Sequence, residues 1–388
     1  MAVTINGTTG ITTPANTVTG NESVGGNLTV SGTGSVNVTG TVVMGSSFKR
    51  NRIINGNMVI DQRNAGASVT PTSSPTYTVD RWEYTFSQAS KISVQQNAGS
   101  VTPPAGFSKY VGLTSLSAYS LSSTDYFRLD QPIEGYNLAD LNWGTASAAT
   151  VTLSFWVRSS LTGLFGLQFN NAAGTRNYPG SYTINAANTW EYKTVTIPGD
   201  TTGTWETGNL TSVRVGFTLG YGSSLTGTGG AWNAGSPSAV TGGTSLVGTS
   251  GATFYITSVQ LEVGSSATPY EMQIYSDQLA QCQRYYSKSY DTGTVPGTAS
   301  TTVGSLANIS TSGGFSITAA QIKTTLRATP TVTLYNPVTG ATGTWYDGGA
   351  LSPTATVFLY GVNNIAVYTV SGSASSSVYG HYVANSEL

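Results

Sequence analysis

Residues 151–160 read VTLSFWVRSS. Val151, Leu153, Phe155 and Val157 fall on one side of an extended chain and the residues between them on the other, the two-residue period of a strand. The pattern recurs. TWEYKTVTIPG (189–199) sets Trp190, Tyr192, Thr194 and Thr196 on one face and Lys193, Val195 and Ile197 on the other, and SVRVGFTLGYG (212–222) aligns Val213, Val215, Phe217 and Leu219. TFYITSVQLEVG (253–264) turns Phe254, Ile256, Val259 and Leu261 inward only if the strand slips phase once near Thr257–Ser258, as a bulge allows. Regularly spaced strands divided by turn clusters predict a sandwich or jelly roll for residues 51–275.

Composition agrees with strands. The chain is rich in Thr, Val and Tyr and has 47 Gly among 388 residues, which favours strands and turns over helices. Only 9% of residues are charged and the net charge is −1, so no general attraction to nucleic acid or anionic membrane is expected. No stretch of about 18 apolar residues is present, so no membrane insertion is expected. The start MAVTING lacks the basic and apolar regions of a signal peptide. The expectation is synthesis in a cytosol, with release by a route such as lysis. The single cysteine, Cys282, rules out an intramolecular disulfide and is expected as a small buried hydrophobe.

Residues 1–48 hold one charged side chain, Glu22, and an imperfect repeat: VTG at 18–20, VSG at 30–32 and VTG at 38–40. Short alternating strands broken by Gly cannot bury a core alone, which predicts an intertwined fibrous β stalk over 1–50, most simply trimeric. FKRNRIING (48–56) marks a boundary with three basic residues. The Gly-rich loop 225–252 carries one large side chain, Trp232. SDQLAQCQRYY (276–286) changes period: Leu279, Cys282 and Tyr285/Tyr286 recur at helical spacing, with Ser276 as N-cap, so a helical linker is expected over 276–290. Strand patterning resumes in a C-terminal β-sandwich head over 291–388, its last segment, YGHYVANSEL, read as an edge strand. The predicted fold class is all-β.

Catalytic chemistry is scarce. His381 is the only histidine and no GxSxG elbow is present, so no Ser–His–Asp triad is expected. One histidine and one cysteine exclude a zinc site within one chain. Paired carboxylates remain: Asp125, Asp130, Glu134 and Asp140 cluster within 124–141, but Arg128 is equally placed to pair with them. Asp61 and Asp80 add oxygen ligands for a hard ion, though no cofactor or metal is expected. Aromatic rings are plentiful, with 7 Trp, 22 Tyr and 11 Phe. Trp82, Trp156 and Trp190 sit in strand-like runs and are expected in the core. Trp232, Tyr178, Trp345 and Tyr346 sit among turn residues, where a large ring is hard to explain by packing. They are the expected glycan-binding residues.

NRIINGNMVIDQR, DRW, RLDQPIEGYNLADLNWGTASAATVTLSFWVRSS, NTWEYKTVTIPGD and FYITSVQLEVGSSATPYE resemble a module of tailed-bacteriophage tail fibres and other virion appendage proteins. DQLAQCQRYY, LRATPTVTLYN and the closing ANSEL resemble the segments that follow it, and TINGTTGITTPA is similar to the stalk starts of such fibres. The resemblance implies a jelly roll akin to carbohydrate-binding modules, a distal β head and a homotrimer joined to other virion proteins through its N-terminal segment, and it carries no catalytic residue. The expected function is a non-enzymatic structural virion component, a tail fibre adsorbing to a host-surface glycan. A capsid-decorating or connector fibre with no receptor role and a polysaccharide depolymerase using Asp130 or Glu134 are the alternatives.

Overall fold

The computed structural model describes residues 49–309, 315–348, 352–370 and 377–388. The described residues all belong to one compact unit, Phe48–Leu388. The stalk expected over 1–50 lies, but for its last two residues, outside the described residues.

The strands in chain order begin β1 (Thr76–Tyr77), β2 (Glu83–Phe86), β3 (Ile92–Gln96), β4 (Val111–Ser115), β5 (Tyr126–Glu134), β6 (Val151–Ser159) and β7 (Gly163–Asn171). They continue β8 (Arg176–Ile184), β9 (Glu191–Ile197), β10 (Thr211–Tyr221), β11 (Thr226–Gly227), β12 (Asn233–Ala234), β13 (Ala239–Val240) and β14 (Thr253–Val263). Two antiparallel sheets arise from them, in the orders β1-β2-β5-β10-β7-β8-β12 and β3-β4-β14-β6-β9. Their inward rows meet in one core. Phe127, Leu129, Phe165, Phe169, Val215 and Phe217 come from the first sheet, and Val94, Leu113, Leu153, Phe155, Phe254 and Ile256 from the second. Burying each such side chain contributes about 1.5–3 kcal/mol. Truncating a central ring, as in Phe217→Ala, would cost roughly 3–5 kcal/mol through the cavity left behind.

The phase slip required by 253–264 is present. The β14 register against β6 jumps between Thr257 and Gln260, and Ser258 takes φ +58°. At the bulge the Val259 N–H donates to the Gly56 carbonyl at 2.9 Å. A side chain at 56 would collide with the Val259 carbonyl, so this approach requires glycine.

Helix α1 spans Tyr275–Gln283. It starts one residue before the expected cap: Ile274 occupies the N-cap with no side-chain cap bond, and Ser276 lies inside the first turn. Tyr285 and Tyr286 lie beyond the helix, and Tyr286 opens β15 (Tyr286–Lys288). Then follow β16 (Leu306–Ile309), β17 (Phe315–Gln321), β18 (Thr331–Tyr335), β19 (Ala355–Tyr360), β20 (Asn364–Val370) and β21 (Ser377–Asn385). β21 is not an edge strand: Val383, Ala384 and Asn385 pair with β15 on one side and β18 on the other, with β16 on Ser377–Gly380. A second sheet, β17-β20-β19, closes a separate core around Trp345, Ile365, Val367, Val378 and Tyr382.

Charged side chains, scarce overall, gather where the helix joins the two cores. Arg284 forks onto Glu134 at 2.6 and 3.1 Å, and the Tyr285 hydroxyl donates to the same carboxylate at 2.6 Å. Arg63 and Arg81 lie over Tyr286 and Tyr285, each 3.6 Å from the ring centre, and both pair with buried Glu387. Lys288 donates to the Gln62 carbonyl at 2.6 Å, and Arg327 to the carbonyls of Asn209 and Ser386 at 2.8 and 2.9 Å. Desolvated, multiply bonded charges tie the two cores together with directional contacts that apolar packing alone would not provide.

Candidate glycan-binding groove

Because Val151, Leu153, Phe155 and Val157 are fully buried, β6 turns Thr152, Ser154, Trp156 and Arg158 to the outer face of its sheet. β9 turns Tyr192, Thr194 and Thr196 the same way, and Trp156 and Tyr192 are register partners. Their ring centres are 5.5 Å apart at an interplanar angle of 51°. Trp156 is half-buried and Tyr192 is 42% exposed. Trp156 therefore lies outside the core expected for it. Trp190 also lies on this face, in a small separate cluster with Tyr110 and Tyr255. Trp82 is in the main core as expected.

Two loops raise walls on this aromatic floor. Ala105–Phe107 forms one, and Ala267–Tyr270 with Met272 the other, enclosing a groove of about 520 Å³. Phe107 meets Tyr270 edge-on at 5.4 Å. The second wall is fastened to outward side chains of β14: the Glu262 carboxylate accepts from the Thr268 N–H at 2.8 Å and its hydroxyl at 2.6 Å, and Gln260 accepts from the Glu271 N–H at 2.8 Å. The first wall is held by the Thr257 hydroxyl, which donates to the Lys109 carbonyl at 2.7 Å. Burial raises the Tyr270 phenol above its ordinary range, keeping it neutral. No charged side chain lines the groove. Aromatic faces suit the C–H faces of a sugar, and the Thr194 hydroxyl stands next to Tyr192 along the face. The walls are held before any ligand arrives, which lowers the ordering cost of binding.

The four residues expected from sequence lie elsewhere. Tyr178 and Trp232 are brought together, with ring centres 5.4 Å apart, but Trp232 also packs at 5.4 Å on Trp143 and 5.3 Å on Trp205. The Trp232 indole N–H donates to the Pro198 carbonyl at 2.7 Å, and Tyr178 is 5% exposed. These rings plug the side of the sandwich. Tyr178 lines the adjacent cleft of about 610 Å³, together with Gly180, Ser181, Val195, Gly227–Gly230, Val240 and Thr241. Trp345 is fully buried in the second core, and a Cβ at Gly380 would overlap its indole. It therefore has no ring face to offer a ligand. Tyr346 is half-buried and stacks on Tyr379 at 6.3 Å.

The carboxylates are engaged. Asp130 contacts Arg128 at 2.5 Å and accepts from Thr85 at 3.0 Å, Glu134 holds Arg284 and Tyr285, and Asp140 pairs with Arg52 at 2.6 Å. Asp125 accepts from Ser87 and Tyr119 at 2.7 and 2.8 Å, Asp61 accepts from the Asn64 and Gly66 N–H groups, and Asp80 from Gln62. Among the described residues, no three His, Cys, Asp or Glu side chains converge as a metal site. His381 is fully buried on the central strand β21, stacked on Tyr290 at 3.7 Å, with its ring nitrogens 3.0 Å from the Ser289 hydroxyl and 2.8 Å from the Ser300 carbonyl.

The groove residues missed by sequence reading are Phe107, Trp156, Tyr192 and Tyr270. For Trp156 the signal was present: a residue next to Phe155 in a strand whose other face is core must point outward.

No family model and no curated protein matches this chain. Among solved structures it is similar to the enzymatically active domain of Bacteriophage CBA120 tailspike protein 4, at 13% identity and TM-score 0.31, over 55% of this chain and 22% of that one. A sugar binding protein of Bacteroides thetaiotaomicron described as putative matches at 14% identity and TM-score 0.33, over 55% and 100% of the two chains. The family 11 carbohydrate-binding module of the Clostridium thermocellum cellulase Lic26A-Cel5E matches at 9% identity and TM-score 0.27, over 53% and 99%. The chain thus spans 22% of the length of the tailspike structure, and the sheet order described above rests on its own strand pairing.

Proposed function

We propose that the chain is a non-enzymatic glycan-binding protein whose sandwich takes a neutral saccharide in the Trp156–Tyr192 groove. The observation that carries this reading is a pair of register-matched aromatic rings on the solvent side of a sheet, between two walls, one held by Thr257 and the other fastened by Gln260 and Glu262. A groove without charge favours stacking and hydroxyl contacts over ionic recognition. The sequence resemblance to phage appendage proteins supplies the setting: a jelly roll on a virion tail fibre that adsorbs to host-surface glycan. Several weak sites on one particle would act together there through effective concentration.

A glycan array probed with the full-length chain tests this reading. Binding to neutral saccharides, lost in Trp156→Ala and kept in Trp232→Ala, supports it. No binding to any saccharide, with no block of adsorption to a susceptible cell, removes it. Release of reducing ends from a bound polysaccharide would favour a depolymerase instead.

A further inference from the structure

Past Trp156, β6 turns one more side chain to the outer face of its sheet, Arg158. The two residues are about 7 Å apart along a strand, given its rise per residue. Arg158 is the register partner of Tyr255 on β14, and its Cζ lies 5.7 Å from the Tyr255 ring centre. Tyr110 and Trp190 extend this second aromatic floor, with Tyr110 5.2 Å from Tyr255 and 5.5 Å from Trp190. The Trp190 indole N–H donates to the Thr102 carbonyl at 2.9 Å, in the segment that leads into the first wall of the groove. The loop that walls the groove is thus tied to the second floor as well.

The charge of Arg158 is uncompensated. Among the described residues it forms no ion pair, and its one hydrogen bond is a 3.4 Å contact from Nη1 to the Asn188 side-chain oxygen. Glu191, the one acid on β9, is committed elsewhere: it pairs with Lys193 at 2.6 Å and accepts from the Asn185 and Ala186 N–H groups at 2.9 and 2.8 Å. A guanidinium carries its N–H donors in a planar fork, and most of those on Arg158 remain unused.

We propose that the groove takes an acidic oligosaccharide, with a neutral unit stacked on Trp156 and Tyr192 and the neighbouring unit presenting a carboxylate to Arg158. The inference rests on the groove reading and narrows it to saccharides that contain a uronic or other sugar acid. The separation of Trp156 and Arg158 along β6 is comparable to one sugar unit. A planar guanidinium matches a carboxylate with two parallel N–H···O bonds, which an ammonium cannot provide. The surrounding rings lower the local polarity, so an ion pair here is stronger than one in open water. One cation beside an uncharged groove separates saccharides that differ in that single group.

Pairs of oligosaccharides titrated against the full-length chain test this. Each pair is a neutral hexose tetrasaccharide and the same tetrasaccharide with one uronic acid, and wild type is compared with Arg158→Gln, Arg158→Lys and Trp156→Ala. The readout is the affinity ratio within a pair. Wild type is expected to favour the acid about tenfold. The ratio should fall towards unity in Arg158→Gln, take an intermediate value in Arg158→Lys, and shrink as salt is raised. The salt dependence is read on wild type alone, so the test stands even if a variant fails to fold. A wild type with no preference for the acid overturns the inference, as does a preference that persists unchanged in Arg158→Gln. In either case, neutral binding that Trp156→Ala abolishes leaves the groove reading standing. No binding to either member of any pair removes both.

Discussion

Trp156 and Tyr192 face each other across β6 and β9 on the solvent side of their sheet, with ring centres 5.5 Å apart. The pair is held from beneath by the fully buried Phe155 and Val157. An aromatic anchor in a walled site commonly accounts for about 2 kcal/mol or more of binding. Trp156→Ala is therefore expected to weaken saccharide binding roughly thirtyfold. Isothermal titration checks this, and thermal unfolding should move little because the ring is outside the main core.

The second wall gives a separate prediction. Glu262→Gln keeps the size of the side chain but weakens its two bonds to Thr268. A loosened wall must be ordered by the ligand itself, so affinity is expected to fall several-fold with the aromatic floor intact. Faster hydrogen exchange at residues 265–270, measured alongside binding, would tie the loss to the wall.

Glu387 is a test of the junction. Its carboxylate is buried between Arg63 and Arg81, two guanidiniums that themselves stack on Tyr286 and Tyr285. Replacing it by Ala strands two positive charges in a desolvated site, a change that typically costs about 3–5 kcal/mol. Denaturant unfolding of Glu387→Ala should show that loss, and a change within about 0.5 kcal/mol would mean the pair is solvent-relaxed.

Cys282 is fully buried, and burial pushes its thiol well above the ordinary range. The thiolate is the reactive species. Labelling by a disulfide reagent at neutral pH is expected to be slow in the native protein and fast in denaturant. Fast native labelling would show that α1 opens away from the sandwich.

Glu83 and Asp130 are register partners on the outer face of the seven-stranded sheet, opposed by Arg214 and Arg128 respectively. Burial raises both carboxyls above their ordinary values, outweighing the arginines. The folded state then holds protons that the unfolded chain has released, so the contribution of this pair to stability is greatest below the ordinary carboxylate range and is lost as pH rises through the raised values. Tyr77 also faces Glu83, and Tyr221 faces Asp130. The melting temperature should decline over this window in wild type and decline less in Glu83→Gln.

Much of this architecture was legible in short stretches. VTLSFWVRSS, SVRVGFTLGYG and TFYITSVQLEVG became β6, β10 and β14 with the predicted faces inward, and the bulge at Ser258 was required by phase alone. A two-residue period follows from backbone geometry, so it survives without knowledge of the partner strand. Helix α1 was legible from its change of period, but not its start, because Ile274 rather than a capping side chain occupies the N-cap.

The candidate ligand face was less legible. Trp345 sits in a run of turn residues yet is fully buried, and Trp232 in its Gly-rich loop joins a four-ring cluster. Local context shows whether a backbone turns; it does not show what a distant segment lays over it. By itself the sequence determined the strand period, the inward rows and the scarcity of catalytic side chains. Only the tertiary structure decided that Trp156 meets Tyr192 between two walls, and that β21 is central rather than an edge. Pairing register and loop closure join residues far apart in the chain, and no local pattern encodes which of them will meet.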